Sequence, residues 1–280
     1  MRKALVAVGA SLLLAFTASG HPGSAILVDR SGTIYFVDTG SGIYRVDRGG
    51  TVARVAGPAF HWMALDGQGR FANTRWPSIP GAEIRRAEGN AALLMSSDYP
   101  VTISRDGAVH FAKDGRLMKI SPSGSMSAAA ALPGNIPWVN GLTTGPDGSI
   151  YYTEDTAVRR ITPKGVIETV ASNVIVPGCT RIPQSEGHAY LRGLQVMANG
   201  TIYVSASGCG ALLRIAPNGV VTTLMRTAAP WSPTAVTASG DTLYVLEYLH
   251  TDSDDRREWI ARVRRVEPGG KMSIIATVKR

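Results

Sequence analysis

Six times along the chain one layout returns: a short apolar strand, a glycine turn, a second strand, a loop, a third strand ending basic then apolar, another glycine turn and a last strand. The first glycine of each unit is Gly32, Gly69, Gly107, Gly148, Gly200 and Gly240, at intervals of 37, 38, 41, 52 and 40 residues. The third strands include Met118-Lys119-Ile120, Arg159-Arg160-Ile161, Leu213-Arg214-Ile215 and Arg264-Arg265-Val266. A unit of about 40 residues with four short strands cannot bury both faces of its sheet alone. Units stacked round an axis can. The repeat therefore predicts an all-β, six-bladed β-propeller of four-stranded antiparallel blades, at about 24–57, 58–96, 97–133, 134–173, 190–227 and 230–278.

Composition agrees: 31 of 280 residues are glycine, as paired hairpin turns in every blade require. Blade 1 begins at its inner strand and blade 6 ends at its outer one, so closure is expected from face packing of blade 6 on blade 1. Before the ring, Arg2 and Lys3 precede the apolar run Ala4–Phe16 and the small residues Thr17-Ala18-Ser19-Gly20. This is the layout of a signal peptide over residues 1–20, and the run is too short to span a bilayer. A periplasmic or secreted monomer without a membrane span is expected. Loss of the leader lowers the net charge from +8 to +6. The basic residue of each third strand spreads that charge round the rim. Nucleic acid would need a contiguous patch with stacking aromatics, so it is not expected as a partner.

In a propeller the loops entering the inner strands and leaving the second strands open on one face. Aligning the units puts Ser24, His61, Tyr99, Asn140, Arg192 and Pro233 at the inner-strand entrances. Asp38, Asn73, Lys113, Glu154, Ser207 and Glu247 end the second strands. Residues 174–191 form a lid-like insertion over this face, which accounts for the 52-residue interval. Cys179 lies in the insertion and Cys209 follows the second strand of the same blade. In an oxidising compartment they are expected to form a disulfide, holding His188, Tyr190 and Arg192 near the axis. His61, Tyr99, His188 and Arg192 are the expected ligand-binding residues.

The stretch Asn140-Gly141-Leu142, Pro146-Asp147-Gly148, Tyr151-Tyr152 and Asp155-Thr156 resembles the signature of the senescence marker protein/gluconolactonase-like family. Residues 21–38 are similar to an NHL repeat. The resemblance implies six blades, a divalent metal in the channel mouth and hydrolysis of lactones or related esters, with Asn140 as a metal ligand. Two positions depart from it. Ser24 stands where the family has a glutamate ligand, and Arg192 where it has an aspartate that serves as ligand and base. Virginiamycin B lyase-like propellers, which have seven blades, share the style of blade 4.

Two readings follow. One is a metal-assisted lactone or ester hydrolase, with Asn140 and Glu154 holding calcium, magnesium, manganese or zinc and Glu154 as base. The other is a non-catalytic propeller that binds a small molecule or a protein at the same mouth, where the Arg192 guanidinium would meet an anionic group. No Gly-X-Ser-X-Gly elbow, His-Glu-X-X-His pair or phosphate loop occurs, so the usual signals of serine-triad, zinc-protease and nucleotide chemistry are missing.

Overall fold

The computed structural model describes residues 23–57, 60–66, 82–86, 92–133, 139–179, 188–251, 253 and 255–279. The leader over 1–20, Asn73, Gly69 and lid residues 180–187 lie outside the described residues.

The first sheet runs β1 (Ile26–Val28), β2 (Ile34–Asp38), β3 (Gly42–Val46) and β4 (Val52–Ala56), antiparallel and in chain order. The second contains β5 (Trp62–Asp66), β6 (Ala82–Arg86) and β7 (Ala92–Ser96). The third is β8 (Val101–Ile103), β9 (Val109–Lys113), β10 (Arg116–Ile120) and β11 (Met126–Ala131). The fourth is β12 (Gly141–Thr144), β13 (Ile150–Thr153), β14 (Val158–Ile161) and β15 (Ile167–Ala171). Next come β16 (Leu191–Val196), β17 (Ile202–Ala206), β18 (Ala211–Ile215) and β19 (Val221–Arg226). The last sheet is β20 (Trp231–Ser239), β21 (Thr242–Leu249), β22 (Ala261–Val266) and β23 (Met272–Thr277). Inner strands pack in a circle: β1 on β5, β5 on β8, β8 on β12, β12 on β16, β16 on β20, and β20 back on β1.

The protein is thus an all-β propeller with five four-stranded antiparallel blades. The expectation of six equal blades is corrected in the second unit, a three-stranded sheet ordered β5-β7-β6. Its second strand comes last in the chain, not after the first turn. The reason lies in Leu93-Leu94-Met95, all buried. A continuous apolar run suits the position covered on both faces, and β7 takes it.

Burial is highest in the second strands and lowest in the outermost ones. Every residue of β2 and β13 is buried, whereas β11 has none buried. The first-turn glycines that are described, Gly32, Gly107, Gly148, Gly200 and Gly240, all have positive φ, between 57° and 83°, the conformation a side chain would resist. Each four-stranded blade also carries an irregularity in register between its third and fourth strands, as at Ile43/Tyr44 and Val263/Arg264. A bulge there sharpens the local twist and turns the outer strand away from its neighbour.

The ring closes by face packing, as expected. Ile26, Ile34 and Phe36 of the first sheet share one cluster with Leu246, Tyr248, Val263 and Ala276 of the last. Tyr248 donates its hydroxyl to Val37 O at 2.6 Å and accepts Thr39 N at 3.1 Å. The third-strand basic residues pair locally: Lys119 with Asp106 at 3.6 Å, Arg160 with Glu168 at 2.5 Å, and Arg265 with Glu267 at 2.8 Å. Exposed pairs of this kind stabilise little.

Candidate functional site

The aligned entrance residues do gather at one end of the channel. Ser24, His61, Asn140 and Arg192 are all buried, and hydrogen bonds tie them across the axis. Ser24 N donates to His61 O at 2.9 Å. Trp62 Nε1 reaches over the third sheet to Asn140 O at 3.1 Å. Asn140 Nδ2 donates to Leu191 O at 3.2 Å, and Arg192 Nε to Ser24 Oγ at 2.8 Å. The strands approach too closely here for side chains. A Cβ on Gly141 would lie 2.5 Å from Arg192 O, and one on Gly193 2.8 Å from the Ala235 Cα. Just inside, the channel retains a void of about 60 Å³ lined by residues such as Ser24, Trp62, Gly193 and Ala235.

Arg192 is the chemical centre of this end. It is 2% exposed, and its guanidinium lies 5.7 Å from the centre of the Tyr190 ring, close enough for a cation–π contact. Burial lowers its pKa, while Tyr190 and Tyr248 act in the opposite sense. Tyr190 has φ +44°, an uncommon conformation for a bulky residue. It leads directly into β16, two residues before Arg192. His250, which the sequence did not single out for the site, is the neighbour that was missed. Burial first, and Arg192 second, push its imidazole down to about 4, so it is neutral at pH 7. Its position after β21, on the mouth face, was the available signal.

The expected Cys179–Cys209 disulfide is present and ties the segment after β15 to the end of β17. Gly208 N donates to Ala189 O at 3.0 Å and Ser207 N to Tyr190 O at 3.1 Å. Arg226 donates to Pro177 O and Gly178 O, and Val174, Val176 and Ala189 enter the core of the fifth sheet. A Cβ on Gly208 would sit 2.1 Å from His188 O, so the backbone at His188 passes directly against that glycine. The bond links residues 30 apart. Its removal in a Cys179→Ser/Cys209→Ser variant is expected to lower unfolding free energy by about 2–4 kcal/mol, measured by urea unfolding.

The other expected site residues have partners of their own or face solvent. His61 Nδ1 meets Ser97 O at 2.8 Å. Tyr99 packs on Phe111 at 5.3 Å, with Lys113 over its ring at 5.6 Å, and belongs to the core of the third sheet. His188 is exposed on the lid. Glu154 is ion-paired with Arg159 at 2.7 Å. Glu247 accepts from Arg262 and Arg264, both at 2.6 Å, and Asp38 Oδ1 accepts the turn amides of Gly40 and Ser41.

A divalent metal therefore does not fit this end. A hard cation needs several oxygen ligands, yet the acids at the second-strand ends serve arginines and turns, and a guanidinium stands at the centre. Among the described residues no group of three or more His, Cys, Asp or Glu could hold a metal ion. Nor is any helix among them long and apolar enough to cross a membrane.

Comparison with known proteins bears on the family. The model of the SMP-30/gluconolactonase/LRE-like region matches residues 99–247, from the third sheet into the last. No curated protein matches the chain. Among solved structures, the luciferin-regenerating enzyme is similar at 17% identity, with TM-score 0.58, covering 92% of this chain and 94% of that one. Regucalcin of Agrobacterium tumefaciens, described as a calcium-binding protein, is 16% identical, with TM-score 0.52, covering 84% and 85%. At such identities these likenesses speak for the fold.

Proposed function

Because the chain belongs to the SMP-30/gluconolactonase/LRE-like family, we propose that it is a small-molecule-binding propeller whose lid-side mouth takes a carboxylate-bearing ligand at Arg192. We read the three-stranded sheet as its sixth blade and the disulfide as suited to an exported protein. The observation that carries the reading is the Arg192–Ser24 contact at 2.8 Å. It fills the mouth with a buried cation and a hydroxyl, which favour an anion and disfavour a metal. Arginine's planar donors match a carboxylate, Tyr190 backs the guanidinium, and His188 and Tyr190 form the outer edge. Neutral His250 beside Arg192 adds a group able to accept a hydrogen bond without adding charge.

The second reading, metal-assisted hydrolysis of a lactone or ester, is favoured by the family match and by the retained Asn140-Gly141 pair. It would require Glu154 to leave Arg159 before acting as base or ligand. One experiment separates the two. The protein and its Arg192→Met variant are titrated with glutarate, then dialysed against calcium, magnesium, manganese and zinc and assayed on a lactone and ester panel. Carboxylate binding weakened at least tenfold by Arg192→Met, with no retained metal, is the expected result. Stoichiometric metal together with turnover abolished by Asn140→Ala would replace it with the hydrolase.

A further inference from the structure

At the channel end away from the lid, the inner strands leave the axis around an open cavity of about 540 Å³. That is the size of a pocket for a small organic ligand. Leu65, Ile103, Pro146 and Val196 make its apolar wall, and Arg30 and Arg105 also line it. Arg30 sits in the turn after β1 and Arg105 in the turn after β8, both exposed. Asp66, at the end of β5 between these two units, is buried.

Among the described residues the cavity is lined by two cations, Arg30 and Arg105, and one buried acid, Asp66, and both Arg105 and Asp66 are engaged in further interactions. Asp106, beside Arg105 in the same turn, is occupied by the Ser104 hydroxyl and by Lys119 at 3.6 Å. His110 Nε2 lies 3.3 Å from Ser104 Oγ, and the imidazole is buried. Thr144 Oγ1 meets Thr102 Oγ1 at 3.2 Å. Arg192 lines neither this cavity nor the narrow void further along the channel.

We infer that this cavity is a second ligand site, which takes a small amphipathic anion. Arg30 and Arg105 hold its carboxylate or phosphate head, and an apolar or aromatic body lies on Leu65, Ile103 and Val196. Guanidinium groups suit either head, since both present paired oxygens. The apolar wall favours a body with little hydrogen-bonding need.

Calorimetric titration of the full chain tests this. Indole-3-acetate is expected to bind saturably, and the neutral indole-3-acetamide at least tenfold more weakly. Benzoate against phenyl phosphate ranks the two heads. An Arg30→Gln/Arg105→Gln variant is expected to lose at least tenfold in affinity while keeping the parent's circular dichroism spectrum. Thr144→Trp, which fills the cavity without altering either arginine, is expected to abolish binding. Arg192→Met leaves this binding unchanged, whereas it removes binding at the lid side. Absence of saturation up to millimolar indole-3-acetate, or a double variant that binds like the parent, overturns the inference.

Discussion

Replacing Glu247 with alanine is expected to lower the unfolding free energy by about 3–5 kcal/mol, because breaking a buried ion pair leaves its partners' charge uncompensated. Glu247 is fully buried in β21 and stands opposite Arg262 in the register with β22. Its carboxylate takes Arg262 Nε on one oxygen and Arg264 Nε on the other, with Thr227 Oγ1 donating at 3.2 Å. Arg262 in turn lies 3.7 Å from the centre of the Trp231 ring. Removing the acid leaves two cations, 16% and 19% exposed, side by side across one strand. A triple variant that also replaces both arginines with leucine is expected to recover part of the loss. Urea unfolding of Glu247→Ala, of Arg262→Leu/Arg264→Leu and of the triple variant gives the coupling. Equal stability of Glu247→Ala and the parent would show that solvent reaches these groups freely.

The second large effect is on acid stability. Burial pushes His110 and His250 down to about 4, with nearby Lys119 and Arg192 adding to it. In the unfolded chain both titrate near the ordinary 6.5. Above 6.5 neither state binds the proton and the folded state keeps its full stability. Between 6.5 and 4 the unfolded chain takes up protons that the folded one refuses, so stability falls as the pH falls. Below 4 both states are protonated and this loss stops growing. Each histidine contributes on the order of 3 kcal/mol across the window. His110→Leu and His250→Gln are each expected to halve the histidine part of the slope between pH 6.5 and 5, measured by urea unfolding. A slope unchanged in both variants would place the proton uptake on other groups.

Most of the architecture was legible because hairpin glycines and apolar inner strands are local signals, repeated with small variation. The second unit was read by its place in the repeat, with Gly69 as a turn and the second strand ending at Asn73. Chain order misled there, and the apolar run Leu93-Leu94-Met95 held the better signal. At the site, the disulfide and the meeting of Ser24, Asn140 and Arg192 followed from loop position alone. What each acid does did not. Glu154 and Glu247 look alike as strand-end glutamates. Their commitment to Arg159, Arg262 and Arg264 depends on cross-strand register, which no single segment encodes. The cavity at Arg30 and Arg105 is likewise a sum over several inner-strand exits.

The seam between the last sheet and the first has a consequence for how the chain reaches this shape. Tyr248 and Val37 are 211 residues apart, and contacts of such long sequence separation form slowly because the closure entropy precedes their reward. Until β20–β23 arrive, the faces of Ile26 and Phe36 that they cover have no partner, which is the condition under which partly folded chains associate. The blade synthesised first is the one completed last.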